Sequence, residues 1–165
     1  MNCTKIILSS YNNLNKMIRA IEDEIDDKCV FSYGNKMPCA EIVEDIAGMI
    51  NRKERFKLLK WKIDKVFSCL NDEEIDLLNC KYLNKPPKHK FDFSLRTYFR
   101  KQVRLLKKLD EYFSYIGLSD ETFFEEFKND RFITSAAIKA EDIKRLKCLY
   151  FENAGEIRKC VKKSA

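Results

Sequence analysis

The sequence predicts an all-α protein, a compact multi-helix bundle, and three observations carry that prediction. Apolar residues recur every three or four positions through most of the chain. Only 4 glycines and 3 prolines occur in 165 residues, too few for the tight turns of a β-sandwich or barrel. Strand–helix alternation with glycine-rich turns is absent. A hydrophobic share of 45% beside 35% charged residues describes a folded chain with a heavily solvated surface. One domain over 1–165 is expected, long enough for one core. It divides into long helices over 1–70, a central unit over 71–118 and C-terminal helices over 119–165.

Tyr11, Leu14, Ile18, Ile21 and Ile25 form one helical stripe, so the first helix is placed at about 4–28. Ser32-Tyr33-Gly34-Asn35 reads as a turn, and Pro38 suits the first position of the next helix. From Cys39 the buried stripe Ile42, Ile46, Met49 or Ile50, Phe56, Leu59, Ile63, Val66 or Phe67 and Leu70 is long for one helix, with Gly48 and Asn51 as a possible break. Trp61 is assigned to core or half-buried packing. Asn71-Asp72-Glu73-Glu74 is a helix start, a capping side chain followed by acids at the positive end of the dipole. Ile75, Leu78 and Tyr82 continue that helix until Asn84-Lys85-Pro86-Pro87 stops it. Ser94 caps the next, whose apolar marks run from Leu95 through Tyr98, Phe99, Leu106, Leu109 and Phe113 to Ile116, with Gly117 as its stop. Ser119 starts a short helix bearing Phe123, Phe124 and Phe127, read as core in preference to a docking surface. A last helical region is expected from about Thr134, marked by Ile138, Leu146, Leu149, Ile157 and Val161.

Ile6-Ile7-Leu8 is too short for a signal sequence, and no apolar run reaches the length of a membrane span. A cytoplasmic, membrane-free protein is expected. The 7 cysteines include no CxxC pair and the single histidine is His89, so no metal site or cofactor is expected. Cysteines in apolar phase, such as Cys69 and Cys148, read as small buried hydrophobes. Catalysis needs a constellation, and none is present: no glycine-rich phosphate loop, GxSxG, HExxH or Glu-x-x-His pairs. Glu41, Glu44, Asp45, Glu125 and Glu126 are read as surface acids. No catalytic residue is assigned and the chain is not read as an enzyme.

Charge is concentrated in one place. Residues 85–108 hold nine cations (Lys85, Lys88, Lys90, Arg96, Arg100, Lys101, Arg104, Lys107 and Lys108) against one acid, Asp92. The segment is thus +8 in a chain of +6, and the remainder carries −2. On a helix, the six cations from Arg96 to Lys108 share an arc of roughly 140°, with Leu95, Tyr98, Phe99, Leu105, Leu106, Leu109 and Phe113 on the other side. A one-signed face of that kind suits a polyanion.

The stretch from Leu70 through Asn71-Asp72-Glu73-Glu74 to Tyr82-Leu83 resembles the opening helix of sigma-70 region 4, and more so that of phage ArpU-type transcription regulators. Ser94-Leu95-Arg96-Thr97-Tyr98-Phe99-Arg100 resembles their entry to the recognition helix, and Leu105-Leu106-Lys107-Lys108-Leu109 fits the continuation of that helix. The resemblance covers about 62–118. It implies a helix-turn-helix-like unit, transcription regulation and double-stranded DNA as partner. Arg96, Thr97 and Arg100 would then lie nearest base edges, with Lys88, Lys90, Lys101, Arg104, Lys107 and Lys108 on phosphates. Tyr98 and Phe99 are expected in the core. Only eleven residues separate Tyr82 from Ser94, so the unit is degenerate: the scaffold helix that sets the recognition helix in this motif has no room. The other reading open to the sequence is a non-enzymatic helical adaptor for a protein such as RNA polymerase. RNA is less favoured, since no stacking platform is evident. Oligomeric state stays open.

Overall fold

The computed structural model describes residues 3–31, 38–83, 85–89 and 91–138. Helix α1 spans Cys3–Phe31, α2 Cys39–Phe67, α3 Asp72–Leu78, α4 Leu95–Tyr115 and α5 Asp120–Phe127. A π-helical turn at Asn79–Leu83 extends α3, and another helix occupies 131–138. No strand occurs among the described residues. The turn expected at 32–35, the apolar marks from Leu146 onward, Cys148 and Lys90 lie outside them.

Helices α1 and α2 run antiparallel. The Tyr11 hydroxyl donates to Asp64 Oδ1 at 2.7 Å, and Lys28 pairs with Asp45 at 2.8 Å farther out. Leu14, Ile18 and Ile21 of the predicted stripe are buried against α2. The first turns of α1 do more than the stripe foretells. Ile6, Ile7 and Leu8 are all fully buried, together with Cys3, Thr4 and Ser10. Consecutive residues on a helix point about 100° apart, so three buried in a row require neighbours on several sides. α1 indeed meets α2, the π-helical turn, α4 and α5. Its first amide is capped from a distance: Cys3 N donates to Asp120 Oδ1 at 2.7 Å. Burial, reinforced by Asp120, pushes the Cys3 thiol up to about 12, which removes it from thiolate chemistry.

α2 is one helix, not two. Gly48 and Asn51 do not interrupt it, because a mid-helix glycine costs only about 1 kcal/mol and packing on α1 offsets that. Pro38 is the residue before the first turn and not its first member; its carbonyl accepts from the Glu41 and Ile42 amides. Only Phe56, Leu59, Ile63 and Val66 of α2 are buried, all in its second half. A methyl group at Gly48 would meet nothing within 4 Å. Gly48→Ala should therefore stabilise the protein by about 0.5–1 kcal/mol, read as a higher denaturant midpoint at unchanged slope; an unchanged or lower midpoint would contradict it.

Three sequence assignments are corrected on α2. Ile50 is 43% exposed, because it lies on the flank away from Phe56 and Ile63. Trp61 is 57% exposed, since it points away from the Phe56–Ile63 side. Cys69 is exposed beyond the end of the helix, where apolar phase no longer implies burial.

The predicted caps form. Asn71 and Glu74 make a reciprocal capping box, Ser94 accepts from the Thr97 amide, and Ser119 accepts from the Thr122 amide. At the end of α4, Gly117 adopts φ 73°, and the amides of Gly117 and Leu118 return to Ser114 O and Phe113 O. Those two bonds satisfy the last carbonyls, and the left-handed residue is one that glycine takes without strain. The final helix starts earlier than expected, at 131, because Asp130 Oδ1 accepts from the Phe132 and Ile133 amides. Ile138 in it is exposed. Asp130 Oδ2 also accepts from Arg52 Nε at 2.7 Å, tying this helix to α2. Phe123 and Phe127 are buried in the single shared core with Phe56 and Phe113, while Phe124 packs at its edge.

Candidate nucleic-acid interface

α4 is positioned by α3 and the loop between them. Gln102, buried in the middle of α4, donates to Leu77 O at 2.9 Å. Leu105, Leu109 and Phe113 continue the buried line. The N-terminal acids of α3 take two of the α4 cations: Lys101 pairs with Glu73, and Lys108 bonds both oxygens of Glu74 at 2.8 Å. The Glu74 bond holds the Lys108 ammonium above its ordinary pKa. Lys101 also stands over the Phe93 ring, 4.5 Å from its centroid.

The loop is not a helix over the described residues 85–89 and 91–94, so no scaffold helix stands between α3 and α4. A buried carboxylate replaces it as the support. Asp76 accepts from the Lys88 amide at 2.8 Å, the His89 amide at 3.0 Å and lies 2.9 Å from His89 Nδ1. The Lys88 amide foremost, and then the His89 ring and amide, hold the Asp76 carboxyl below its ordinary 3.8 against the opposing effect of burial. The depressed value means that Asp76 stabilises the loop fully above pH 3.8 and progressively less as pH falls through the lower folded value. Asp76→Asn, which leaves the loop amides without a charged acceptor, should raise hydrogen exchange at Lys88 and His89 at neutral pH. Equal protection in both proteins would show that the loop is held otherwise.

The outward face of α4 carries Arg96, Arg100, Arg104 and Lys107, all exposed and none ion-paired among the described residues. Arg96, Arg100 and Arg104 are successive turns of one line, each about 6 Å further along the axis. Beside it runs an exposed apolar line, Leu95 at 76%, Phe99 at 54% and Val103 at 56%, the first two of which periodicity alone places inside. The buried side of α4 is centred on Gln102, Leu105 and Leu109, which leaves these three on the flank. Tyr98, next to Phe99, is half-buried, and its hydroxyl accepts from Gln102 at 3.2 Å. Thr97 has its hydroxyl 3.1 Å from that of Ser94, within the cap at the start of the helix. Lys88 is exposed in the Asp76-bound loop.

The structure thus sorts the expected contact residues. Arg96, Arg100, Arg104 and Lys107 form one free cationic face, with Lys88 in the adjoining loop. Lys101 and Lys108 are engaged by α3, and Thr97 by the cap. Asp76 escapes a reading of the sequence, where its only signal is an acid in the apolar phase of a helix, between Ile75 and Leu77. Among the described residues no group of three His, Cys, Asp or Glu is arranged to hold a metal. No helix described is long and apolar enough to cross a membrane. Comparison with protein families, curated proteins and solved structures finds no match to this chain.

Proposed function

We propose that the protein binds double-stranded DNA through the outward face of α4, as a regulator of the kind the sigma-like motifs suggest. The observation that carries this is the line Arg96, Arg100, Arg104 and Lys107: four exposed cations of one sign with no acid paired to them among the described residues. Guanidinium groups bond phosphate oxygens in a planar, two-pronged manner and do so with less desolvation cost than ammonium groups. With the scaffold helix replaced by a carboxylate-bound loop, and Thr97 committed to its cap, the face favours backbone contact over base reading. The quoted motifs, Leu70–Leu83 and Ser94–Arg100, support a helix-turn-helix-like ancestry for the unit.

Titration of the full chain into random duplex DNA over a salt series tests this. Four phosphate contacts predict a slope of log K against log salt of about −3.6. No binding at low salt would remove the DNA reading.

The apolar line Leu95, Phe99 and Val103 favours a second reading. A partner protein presenting an acidic amphipathic helix would cover that line and meet the arginines, with weaker dependence on salt. A shallow salt slope with DNA and retained binding to such a protein would favour it.

A further inference from the structure

The side of α2 that faces away from the molecule is largely apolar. Val43, Ala47, Ile50, Leu58 and Trp61 fall on an arc of roughly 80° that also holds Ala40, Glu54 and Lys65, opposite the buried Phe56, Leu59, Ile63 and Val66. Val43 is 65% exposed, Ile50 43% and Leu58 49%, and with Trp61 they extend over about 27 Å of helix. α1 and α4 pack on other sides of α2, as does α5 through Phe127 against Phe56, so nothing described in this chain covers the line. Isolated exposed hydrophobes are ordinary, but a continuous line on one helix marks a contact surface.

Two features of that face identify its partner. Charge at its edge is divided: on one flank, about 80° from its centre, Glu44 stands in the first half of α2 and Lys62 in the second. Size is divided in the same way, with Ala47 in the first half and Trp61 in the second. A face whose two halves complement each other fits a copy of itself turned end for end.

We propose that the protein forms a homodimer in which two α2 helices pack antiparallel about a two-fold axis at Glu54. In that register Ala47 lies opposite Trp61 of the second copy, and Ile50 opposite Leu58. The large indole meets the small methyl twice, once on each side of the axis. Glu44 comes beside Lys62 of the second copy, again twice, and neither is ion-paired within its own chain among the described residues. Same-side flanking charges of this kind set orientation in helix pairs. The two Glu54 carboxylates at the axis are each already bonded by their own Lys57 at 3.3 Å, which reduces their repulsion. A parallel pair would set acids on acids and indole on indole. The contact is isologous, as a closed dimer requires, and it leaves α4 of both copies uncovered. The proposal stands whether or not α4 binds DNA.

Sedimentation equilibrium of the full chain over a range of concentration tests it. A dimer is expected. Ile50→Glu and Trp61→Ala alter exposed residues, so helical content by circular dichroism should be unchanged while the dimer dissociates. Glu44→Lys and Lys62→Glu should each weaken the dimer about tenfold or more, and the two together in one chain should restore it. A monomer at every concentration, or a dimer indifferent to Ile50→Glu, overturns the proposal. A dimer lost with Ile50→Glu but not restored by the double reversal overturns the antiparallel register.

Discussion

Replacing Arg96, Arg100 and Arg104 together with alanine is expected to lower the affinity for random duplex DNA by roughly 10²-fold or more near 0.1 M salt. Each phosphate contact releases condensed counterions, so three fewer contacts should also flatten the salt slope by about 3. All three side chains are exposed, so the variant should retain its helical content and its unfolding midpoint. The informative control is Lys101→Ala with Lys108→Ala. These cations belong to the same basic segment, but they are engaged by Glu73 and Glu74. Their removal frees two acids beside α4 and should leave the slope almost unchanged. If both variants lose slope equally, segment charge and not the outward line governs binding. If the triple variant binds as the parent does, α4 is not the DNA face.

Phe56→Ala should be the most damaging single core change, at about 3–5 kcal/mol. Phe56 is fully buried. Its ring stacks on Phe127 at 5.8 Å and meets the edge of Phe132 at the same distance, while the Arg52 guanidinium stands 5.5 Å from its centroid. One side chain thus joins α2 to α5 and to the helix over 131–138. Truncation leaves a cavity lined by rings that cannot collapse easily, and a loss of this size is a large part of the stability of a small domain. Phe99→Ala supplies the contrast. Phe99 is more than half exposed, so its removal should shift stability by no more than about 0.5 kcal/mol. Chemical denaturation of both variants measures the difference. A small loss at Phe56 would mean that the site refills on truncation.

What is legible in the sequence is local. Caps depend on residues three or four apart, so Asn71, Ser94, Ser119 and Gly117 declare themselves. The stripe from Leu14 to Ile21 comes from periodicity alone. Tertiary choices are hidden. Whether Leu95 and Phe99 face inward depends on where α1 and α3 stand, and periodicity allows either side of Gln102. A polar glutamine taken into the core, hydrogen-bonded to Leu77 O, rotates the buried stripe away from them. The cationic arc of α4 is legible as a pattern. Its division into free and engaged members is not, because Glu73 and Glu74 lie 28 and 34 residues before the lysines they hold. Gly48 reads as a break when propensity is weighed alone, without the tertiary packing that holds α2 as one helix. Ile6-Ile7-Leu8 does not declare itself as core, since a short run without period does not say how many neighbours it has.

The place of those three residues bears on how the chain is made. α1 is synthesised before the other described helices, yet the aspartate that caps its opening amide is 117 residues later. At roughly 5–20 residues per second, the ribosome needs about 6–23 seconds to cover that distance. Through that interval the most enclosed segment of the finished protein stays uncovered on the sides that α4 and α5 will occupy. The nascent chain is then at its most aggregation-prone, and a holding chaperone has its longest opportunity to bind.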